Sequence, residues 1–309
     1  MSKESILFSV VIPTYNHANY LKTALCSVIN QKYTNWEAIV VDNNSKDNTL
    51  EIINSLNDKR IKVISINNNG VIAASRNKGI KASKGEWIAF LDSDDKWYPN
   101  KLEDVNKILK ASKNIEVISN DEKKVLANNI SNNSQRYGPL PKNSYKHMLL
   151  FGNKLSTSAT IVNRDFISKN SINFNESKDF ITVEDYDFWL NLALSGARFK
   201  FLHKVNGEYL IHDSNNSKRE DIHTSNNHKL LNHHVFNVQS FDKNPKRLWK
   251  KINHRLEIHK EFSRINKNNF LSRIAKIIKL ILKMPIFSIF YLAERIFSRT
   301  SNYLLSLAS

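Results

Sequence analysis

The first part of the chain alternates between short apolar runs and segments that carry apolar residues at helical spacing. The predicted strands cover 7–12, 36–41, 61–66 and 86–91, and the predicted helices cover 18–31, 45–56, 71–82 and 99–111. Strands that are apolar nearly throughout and alternate with helices are typical of a parallel sheet covered on both faces. The expected fold class is therefore α/β.

Polar clusters follow three of the four predicted strands. They are Thr14-Tyr15-Asn16, Asp42-Asn43-Asn44 and Asp92-Ser93-Asp94-Asp95. In open α/β sheets, ligands bind in the crevice outside the carboxyl ends of the strands. A single cluster would be read as an ordinary turn or helix cap, but three at equivalent strand ends favour a binding crevice.

The middle of the chain is less regular. Residues 120–146 lose periodicity and are rich in Asn, Ser and Lys, so we predict a loop over the crevice. A short strand at 158–162, a helix at 183–195 and a strand at 198–211 are predicted to follow. From Pro245 onward the pattern is basic and helical.

The cluster Asp92-Ser93-Asp94-Asp95 places three carboxylates within four residues. Holding like charges together costs free energy unless a cation neutralises them. Carboxylate oxygens suit Mg²⁺ or Mn²⁺, which typically bridge protein carboxylates and substrate phosphates. The chain has neither a GxxxxGK[ST] loop nor a GxGxxG run after the first strand, which disfavours P-loop nucleotidases and dinucleotide dehydrogenases.

The positive charge is concentrated at the end of the chain. The net charge is +17, and from Lys243 to the last residue there are 15 basic and 3 acidic residues. A near-neutral body with a basic tail favours contact with an anionic surface through the tail alone. Because the charge is confined to the tail and no nucleic-acid motif is present, no nucleic-acid partner is expected. The single cysteine, Cys26, excludes an intramolecular disulfide and a cysteine-based zinc site.

The tail from 270 to 299 is predicted to be amphipathic. One helical stripe carries Ile274, Ile277, Ile278, Ile281 and Leu282, and another carries Arg273, Lys276, Lys279 and Lys283. Pro285 is predicted to break or kink the helix. The uncharged run at 284–293 is too short for a membrane span, which needs roughly 20 residues. We therefore predict a helix in the interface of an anionic membrane; the alternative is a helical lid packed on the domain.

Five motifs together resemble the family-2 glycosyltransferases of the GT-A fold. They are SVVIPTYN at 9–16, VVDNNS at 40–45, ASRNKG at 74–79, KGEWIAFLDSDD at 84–95, and FNE at 174–176 with EDYDFWL at 184–190. The resemblance covers roughly residues 7–213. It implies a Rossmann-like, mostly parallel sheet flanked by helices, followed by a C-terminal basic helical extension. The expected parts are a GT-A domain at 1–213, with a nucleotide-binding half at 1–119 and an acceptor-side half at 120–213, and the extension at 214–309.

The resemblance also implies an activity. The expected reaction is inverting, metal-dependent transfer of a hexosyl or N-acetylhexosaminyl group (EC 2.4) with Mn²⁺ or Mg²⁺. The sugar would pass from a nucleotide-diphosphate donor, by resemblance a UDP-sugar, to a hydroxyl of a glycan or lipid-linked acceptor in cell-surface polysaccharide synthesis. Since the first residues show no signal-peptide pattern, we expect a cytoplasmic protein, peripheral at the inner face of the cell membrane. The alternative is a catalytically inactive nucleotide-sugar-binding protein.

Five positions that match the family's motifs are implied to bind the donor. Thr14 and Tyr15 would border the nucleotide base, with the Tyr15 ring available for stacking. Asp42 would accept a hydrogen bond from the base or ribose, and Asp92 would contact the nucleotide sugar. Arg76 would contact the diphosphate; the alternative is an ordinary salt-bridged helix residue.

Three further positions are implied to serve the chemistry. Asp94 would hold the metal, and His212 matches the position where some members place another ligand; its alternative is a surface-loop histidine. Asp185 would be the catalytic base, because a sugar hydroxyl is a poor nucleophile unless a carboxylate takes its proton. The alternative for Asp185 is a first-turn carboxylate favoured by the helix dipole, with Glu184 or Asp187 as the next candidates for the base.

Overall fold

The computed structural model describes residues 5–126, 134–212, 220–265 and 270–293. Parts of the predicted loop and of the predicted extension, at 127–133, 214–219, 266–269 and 294–309, lie outside these residues. The strands are β1 (Phe8–Thr14), β2 (Trp36–Asp42), β3 (Ile61–Ser65), β4 (Trp87–Phe90), β5 (Lys96–Trp97), β6 (Val117–Leu126), β7 (Ser134–Gln135), β8 (Thr160–Asn163) and β9 (Phe199–Ile211).

These strands form one sheet in the order β3-β2-β1-β4-β8-β6-β9-β5, with β7 paired to β6. Strands β3, β2, β1 and β4 run parallel to one another, and β6 is parallel to β9. Strand β8 is antiparallel to both β4 and β6, and β5 is antiparallel to β9. The α/β class is confirmed as a mixed sheet whose first half is fully parallel.

Helices cover the sheet and form the end of the described chain. They are α1 (Ala18–Ile29), α2 (Thr49–Ser55), α3 (Ile72–Ala82), α4 (Lys101–Ala111), α5 (Ser144–Phe151), α6 (Arg164–Lys169), α7 (Glu184–Leu194), α8 (Glu220–His233), α9 (Pro245–Ser263), α10 (Phe270–Lys283) and α11 (285–293). A 3₁₀ turn at Lys178–Phe180 precedes α7, and a π-helical turn at His234–Val238 follows α8.

Both faces of the sheet are buried, as the apolar runs predict. Along β1, Val10 and Ile12 belong to a core cluster with α1, whereas Val11 belongs to a second cluster with α7. Side chains alternate between the two faces of a strand, so a strand that is apolar throughout packs helices on both sides. A Cβ on Gly79 would collide with the Val11 side chain, so glycine lets α3 lie close against β1.

Two predictions of local structure are wrong. The predicted loop at 120–146 contains the greater part of β6, all of β7 and the start of α5. Polar residues such as Asn120 and Glu122 led to the loop prediction, but in β6 they are buried and paired with residues from other elements. The helix predicted from Ser45 begins only at Thr49, because the Asp47 carboxylate accepts hydrogen bonds from the N–H groups of Thr49 and Ala18 and belongs to the connecting loop.

The first helices beyond β9 share the body's core. One cluster joins side chains of α8 and α9 to side chains of α5 and α7: Leu230, Leu231, Leu248, Ile252, Met148, Tyr186 and Phe188. Helix α10 packs on α9. The helical extension is therefore present and is anchored on the α/β body, while the boundary between 213 and 214 stays a prediction.

Candidate active site

A crevice of about 670 Å³ opens at the carboxyl ends of β1, β2 and β4. Its wall combines residues that follow these strands with residues of α3, α7, β6 and β9. They include Thr14, Tyr15, Asn43, Arg76, Asp92, Asp94, Lys124, Glu184, Asp185 and Tyr209. The three polar clusters singled out in the sequence thus meet at one crevice.

The cluster after β4 reaches a histidine from the far end of the chain. Asp94 Oδ2 lies 2.8 Å from His212 Nε2, and the buried His212 ring stacks on Tyr20 at 4.7 Å between ring centroids. Burial, reinforced by the charge of Asp92, raises the pKa of Asp94. The structure therefore brings the two predicted metal ligands together, with the charge of Asp92 nearby.

Asp95 has a different environment from its neighbours in this cluster. Its side chain is buried, with Oδ2 accepting the Ser158 hydroxyl at 2.5 Å and Oδ1 accepting the Leu210 backbone N–H at 3.0 Å. Leu210 lies on β9, two residues before His212. Asp95 therefore ties the end of β4 to the strand that delivers His212 to Asp94.

A buried lysine lies beneath these carboxylates. The Nζ of Lys101 donates to Asn120 Oδ1 at 2.5 Å and to the Ser158 carbonyl at 3.0 Å. Burial lowers the pKa of Lys101 to about 7, although the charges of Glu122 and Asp95 oppose this shift. The lysine lies on α4 and the asparagine on β6, so this buried contact joins α4 to β6.

Arg76 is enclosed between two carboxylates. Its Nη2 donates to Asp92 Oδ1 at 2.8 Å and its Nη1 donates to Glu184 Oε1 at 2.7 Å. Burial disfavours the charged guanidinium, but the charges of Asp92 and Glu184 outweigh it and raise the pKa of Arg76. The structure thus gives Arg76 the salt-bridged environment that the sequence left open as the alternative to a diphosphate contact.

Asp185 lines the crevice from the first turn of α7. Its Oδ1 accepts the backbone N–H of Tyr186 at 2.7 Å. Burial, with a further contribution from the charge of Glu184, raises the pKa of Asp185 to about 7 despite the opposing charge of Arg76. A carboxylate with a pKa near neutrality is suited to accept a proton in catalysis.

The other two carboxylates of this turn have interior partners. Glu184 binds Arg76, while the buried Asp187 accepts from His234 at 2.9 Å and from Asn191 at 3.1 Å. His234 in turn contacts the Tyr145 hydroxyl at 3.0 Å. Asp187 therefore anchors α7 in the core, and the crevice-facing carboxylate without such an anchor is Asp185.

One end of the crevice is built from the ends of β1 and β2, where the sequence predicts the nucleotide base. Thr14 is buried and its Oγ1 has no hydrogen-bond partner within the described residues, while the Tyr15 ring is half exposed at the rim. Asp42 is not among the residues that line the crevice, and its Oδ1 accepts the Ser45 hydroxyl at 2.5 Å. Asn43 takes the position on the wall. The role of Asp42 stays a prediction.

Sequence reasoning assigned no role to several crevice residues. His17 follows the first motif directly, and its Nδ1 lies 3.0 Å from the Ser93 hydroxyl. Its position next to Thr14-Tyr15-Asn16 is the signal that could have identified it. Lys124 and Tyr137 lie within the segment predicted to be a loop, where the sequence offers no local motif.

Comparisons with known proteins agree with this geometry. Residues 9–169, just over half of the chain, match the model of glycosyl transferase family 2. The UDP-Glc:alpha-D-GlcNAc-diphosphoundecaprenol beta-1,3-glucosyltransferase WfaP of Escherichia coli is 32% identical over 225 residues, which cover 71% of this chain and 84% of WfaP. Its Escherichia coli counterpart WfgD, with the same named activity, is 30% identical over 61% of this chain and 70% of its own length.

Solved structures share the fold at lower identity. The structure of S. aureus TarS 1–349 in complex with UDP-GlcNAc superposes with a TM-score of 0.63 at 22% identity, covering 89% of this chain and 80% of TarS 1–349. The mannosyltransferase PcManGT of Pyrobaculum calidifontis, in complex with GDP-Man and Mn²⁺, superposes with a TM-score of 0.58 at 14% identity. The family match, the relationship to WfaP and the shared fold lead to one conclusion: the chain belongs to glycosyl transferase family 2 and is a glycosyltransferase with the GT-A fold.

Proposed function

We propose that this enzyme transfers a sugar, with inversion, from a UDP-sugar to a hydroxyl of a lipid-linked glycan. The observation that carries the proposal is the Asp185 carboxylate, which faces the same crevice as Asp92 and Asp94 and has a pKa near neutrality. The names of WfaP and WfgD, which give a UDP-Glc donor and a diphosphoundecaprenol-linked acceptor, support the donor and acceptor classes.

Asp185 acts as the general base. An acceptor hydroxyl becomes an effective nucleophile when a carboxylate takes its proton as the new bond forms. A single base on the side of the sugar opposite the leaving group gives one displacement, and therefore inversion. Asp185 and Asp92 lie on the α7 and β4 sides of the crevice, which matches an acceptor held on one side and a donor on the other.

The residues at the crevice fit a divalent ion that is shared with the substrate. Asp94 supplies a carboxylate and His212 an imidazole nitrogen, 2.8 Å apart. Within the described ranges, no group of three or more His, Cys, Asp or Glu side chains is arranged to hold a metal ion, so the substrate would have to supply further ligands. Bound there, Mn²⁺ or Mg²⁺ would stabilise charge on the leaving diphosphate.

A donor screen tests this function. The purified chain is incubated with UDP-, GDP- and dTDP-sugars and Mn²⁺ or Mg²⁺, with a diphosphoundecaprenol-linked sugar or a short-chain analogue as acceptor. We expect transfer from one UDP-sugar and a product with the anomeric configuration inverted. Retained configuration would refute single displacement. Binding of nucleotide sugar without transfer to any acceptor would instead favour the inactive binding protein.

Activity should depend on pH through Asp185. Below its pKa of about 7 the carboxyl is protonated and cannot accept the acceptor's proton; above it the carboxylate is available. We therefore expect kcat/KM to rise with pH through about 7 and then level off. The measurement is a pH–rate profile at constant ionic strength with saturating metal. A profile that is flat from pH 5.5 to 8, or an acid limb near the ordinary aspartate pKa of about 4, would contradict this assignment.

We also propose that α10 and α11 dock on an anionic membrane. Their inner side packs on the body, where Ile277 and Tyr291 are buried and the Ser288 hydroxyl contacts His254 Nε2 at 2.8 Å. Their outer side leaves large apolar residues between 51% and 81% exposed: Phe270, Leu271, Ile278, Leu282, Ile286, Ile289 and Phe290. Lys276, Lys279 and Lys283 are exposed beside them. An apolar face flanked by lysines suits the interface of an anionic leaflet.

No helix among the described residues has the length and apolar character needed to cross a bilayer. The proposed contact is made by the exposed face of α10 and α11. It would hold the crevice near a lipid-linked acceptor, which raises the local concentration of that acceptor. Because one side of α10 and α11 packs on the body and the other is exposed, the lid and membrane interpretations of the sequence are compatible.

Substitution of the exposed apolar face tests the membrane contact without truncating the chain. We expect the triple variant Leu271→Ser, Leu282→Ser, Ile286→Ser to lose at least about tenfold in binding to vesicles with anionic lipid, because each buried apolar side chain contributes roughly 1.5 to 3 kcal/mol. Hydrolysis of the donor in the absence of acceptor should be unchanged. Co-sedimentation at low and high salt is the measurement.

The control for that variant is Leu50→Ser with Leu194→Ser, which removes exposed leucines from α2 and α7 outside the extension. If the control and the triple variant sediment with vesicles equally, the apolar face of α10 and α11 is not the membrane contact.

A further inference from the structure

A buried ion bridge crosses the floor of the crevice. Arg76 on α3 donates to Asp92 after β4 and to Glu184 at the start of α7, at 2.8 and 2.7 Å. We call these three residues the Arg76 bridge. It connects the strand end on the donor side with the helix that carries Asp185, across 108 residues of sequence between Arg76 and Glu184.

The guanidinium of Arg76 is poorly placed to bind a diphosphate. Arg76 is only 3% exposed, and both terminal nitrogens already donate to carboxylates. Its Nε is buried with no hydrogen-bond partner within the described residues, and the Phe174 ring lies 5.3 Å from the guanidinium carbon. Two carboxylates already compensate the charge of this group, so a diphosphate oxygen would compete with them for it.

A second contact beside the Arg76 bridge joins α3 to the segment that precedes α7. The neighbouring residue on α3, Asn77, accepts from the Phe174 backbone N–H at 2.9 Å and donates to the Phe174 carbonyl and to Glu176 Oε1, each at 2.8 Å. Consecutive side chains of α3 thus hold both the segment that leads into α7 and the first residue of α7 itself.

We propose that Arg76 and Glu184 are positioning residues, which fix the first turn of α7 so that Asp185 faces the donor bound at Asp92. The proposal rests on the proposed function, in which Asp185 is the base. In this proposal Glu184 holds Arg76 and does not accept a proton. Arg76 aligns the donor and acceptor sides of the crevice and does not bind the diphosphate. A displacement of about 1 Å in a reacting group can cost 10²-fold in rate.

The bridge also sets the electrostatic surroundings of Asp185. The charged groups that face it are Glu184 from its own helix, Arg76 from α3 and Asp92 from the β4 end. Arg76 favours the ionised form of Asp185, whereas Glu184 and Asp92 disfavour it. Removing Arg76 and removing Glu184 should therefore move the acid limb of the pH–rate profile in opposite directions.

A double-mutant cycle tests the proposal. The variants are Arg76→Gln, Glu184→Gln and both together, with Arg76→Lys as the milder change if Arg76→Gln does not fold. Lys78→Gln, an exposed lysine on the same helix, is the matched control for loss of one positive charge. The readouts are thermal unfolding, the dissociation constant of UDP with Mn²⁺ by calorimetry, kcat, and the acid limb of the pH–rate profile.

We expect Arg76→Gln and Glu184→Gln each to lower kcat at least about tenfold while the UDP dissociation constant stays within about twofold. The acid limb should rise by roughly one pH unit in Arg76→Gln and fall in Glu184→Gln. The double variant should lose much less than the product of the two single losses, because the residues act as a unit. Lys78→Gln should match the unchanged enzyme.

The proposal is wrong if Glu184→Gln keeps its kcat, or if the two single losses multiply in the double variant. It is also wrong if Arg76→Gln or Arg76→Lys weakens UDP at least tenfold, since Arg76 would then contact the diphosphate. Failure of the proposed function gives a different result, because Asp185→Asn would then keep the activity of the unchanged enzyme. In that case a non-additive cycle still establishes Arg76 and Glu184 as positioning residues, and only the identity of the group they position changes.

Discussion

Replacing Asp185 with asparagine should reduce transfer by about 10²-fold or more, while binding of the UDP-sugar persists. Asparagine keeps the size of the side chain and its ability to accept the Tyr186 N–H, which Asp185 Oδ1 accepts at 2.7 Å. It cannot take a proton from the acceptor at neutral pH. The loss should therefore appear in kcat and not in the dissociation constant of the donor, and single-turnover kinetics with calorimetry would separate the two.

The matched control is Asp179→Asn, which makes the same change on an exposed carboxylate shortly before α7. Asp179 pairs with Lys229 at the surface, and such pairs contribute about 0 to 1 kcal/mol to stability. Its kcat should be unchanged. If Asp185→Asn transfers sugar at the unchanged rate, the base lies elsewhere. Asp187 is then a poor substitute because it is buried against His234, and Glu184 would have to give up Arg76.

The parallel half of the sheet could be predicted because the run of apolar residues within each strand is enough to identify it. The apolar runs predict β1 to β4 to within two residues at each end. The ends of these strands then identify the crevice, since parallel strands bring their carboxyl ends to one edge of the sheet. Thr14, Tyr15, Asp92 and Asp94 reach the crevice by this rule alone.

Strand β6 could not be predicted because its stability depends on distant partners. Asn120 and Glu122 are polar residues in a buried strand, which pattern reasoning assigns to a loop. In the structure Asn120 accepts from Lys101 on α4, and Glu122 Oε2 accepts the Tyr137 hydroxyl at 2.9 Å. Buried polar groups are tolerated when they are hydrogen-bonded, and no local spacing reveals that these partners exist.

The same limit applies to the chemistry of the site. The sequence places Arg76, Glu184 and Asp185 in motifs, but it does not show that two carboxylates already pair with Arg76. Only the fold separates the three acidic residues of this turn into different roles. Glu184 is tied to Arg76, Asp187 is tied to His234, and Asp185 lines the crevice and accepts the Tyr186 N–H.

Replacing Asp94 with alanine should abolish metal-dependent transfer, with a loss of about 10³-fold or more if the ion supplies several kcal/mol of stabilisation to the leaving diphosphate. The variant would leave His212 as the remaining protein donor of the proposed pair, so calorimetric affinity for Mn²⁺ in the presence of UDP should fall with the rate. Excess EDTA should give the same loss in the unchanged enzyme. Full turnover in excess EDTA would show that the reaction does not require a metal ion.

The fold should survive the substitution of Asp94. The raised pKa of Asp94 shows that burial and the charge of Asp92 disfavour its ionised form, so removing the carboxylate relieves a like-charge contact. The contacts that hold the β4 end in place include those of Asp95 with Ser158 and Leu210 and that of Asp92 with Arg76, and these remain. We therefore expect an unchanged or slightly higher melting temperature together with lost activity. A variant that unfolds would instead assign Asp94 a structural role, and Asp94→Asn, which keeps a polar contact to His212, would then be the variant to compare for Mn²⁺ affinity.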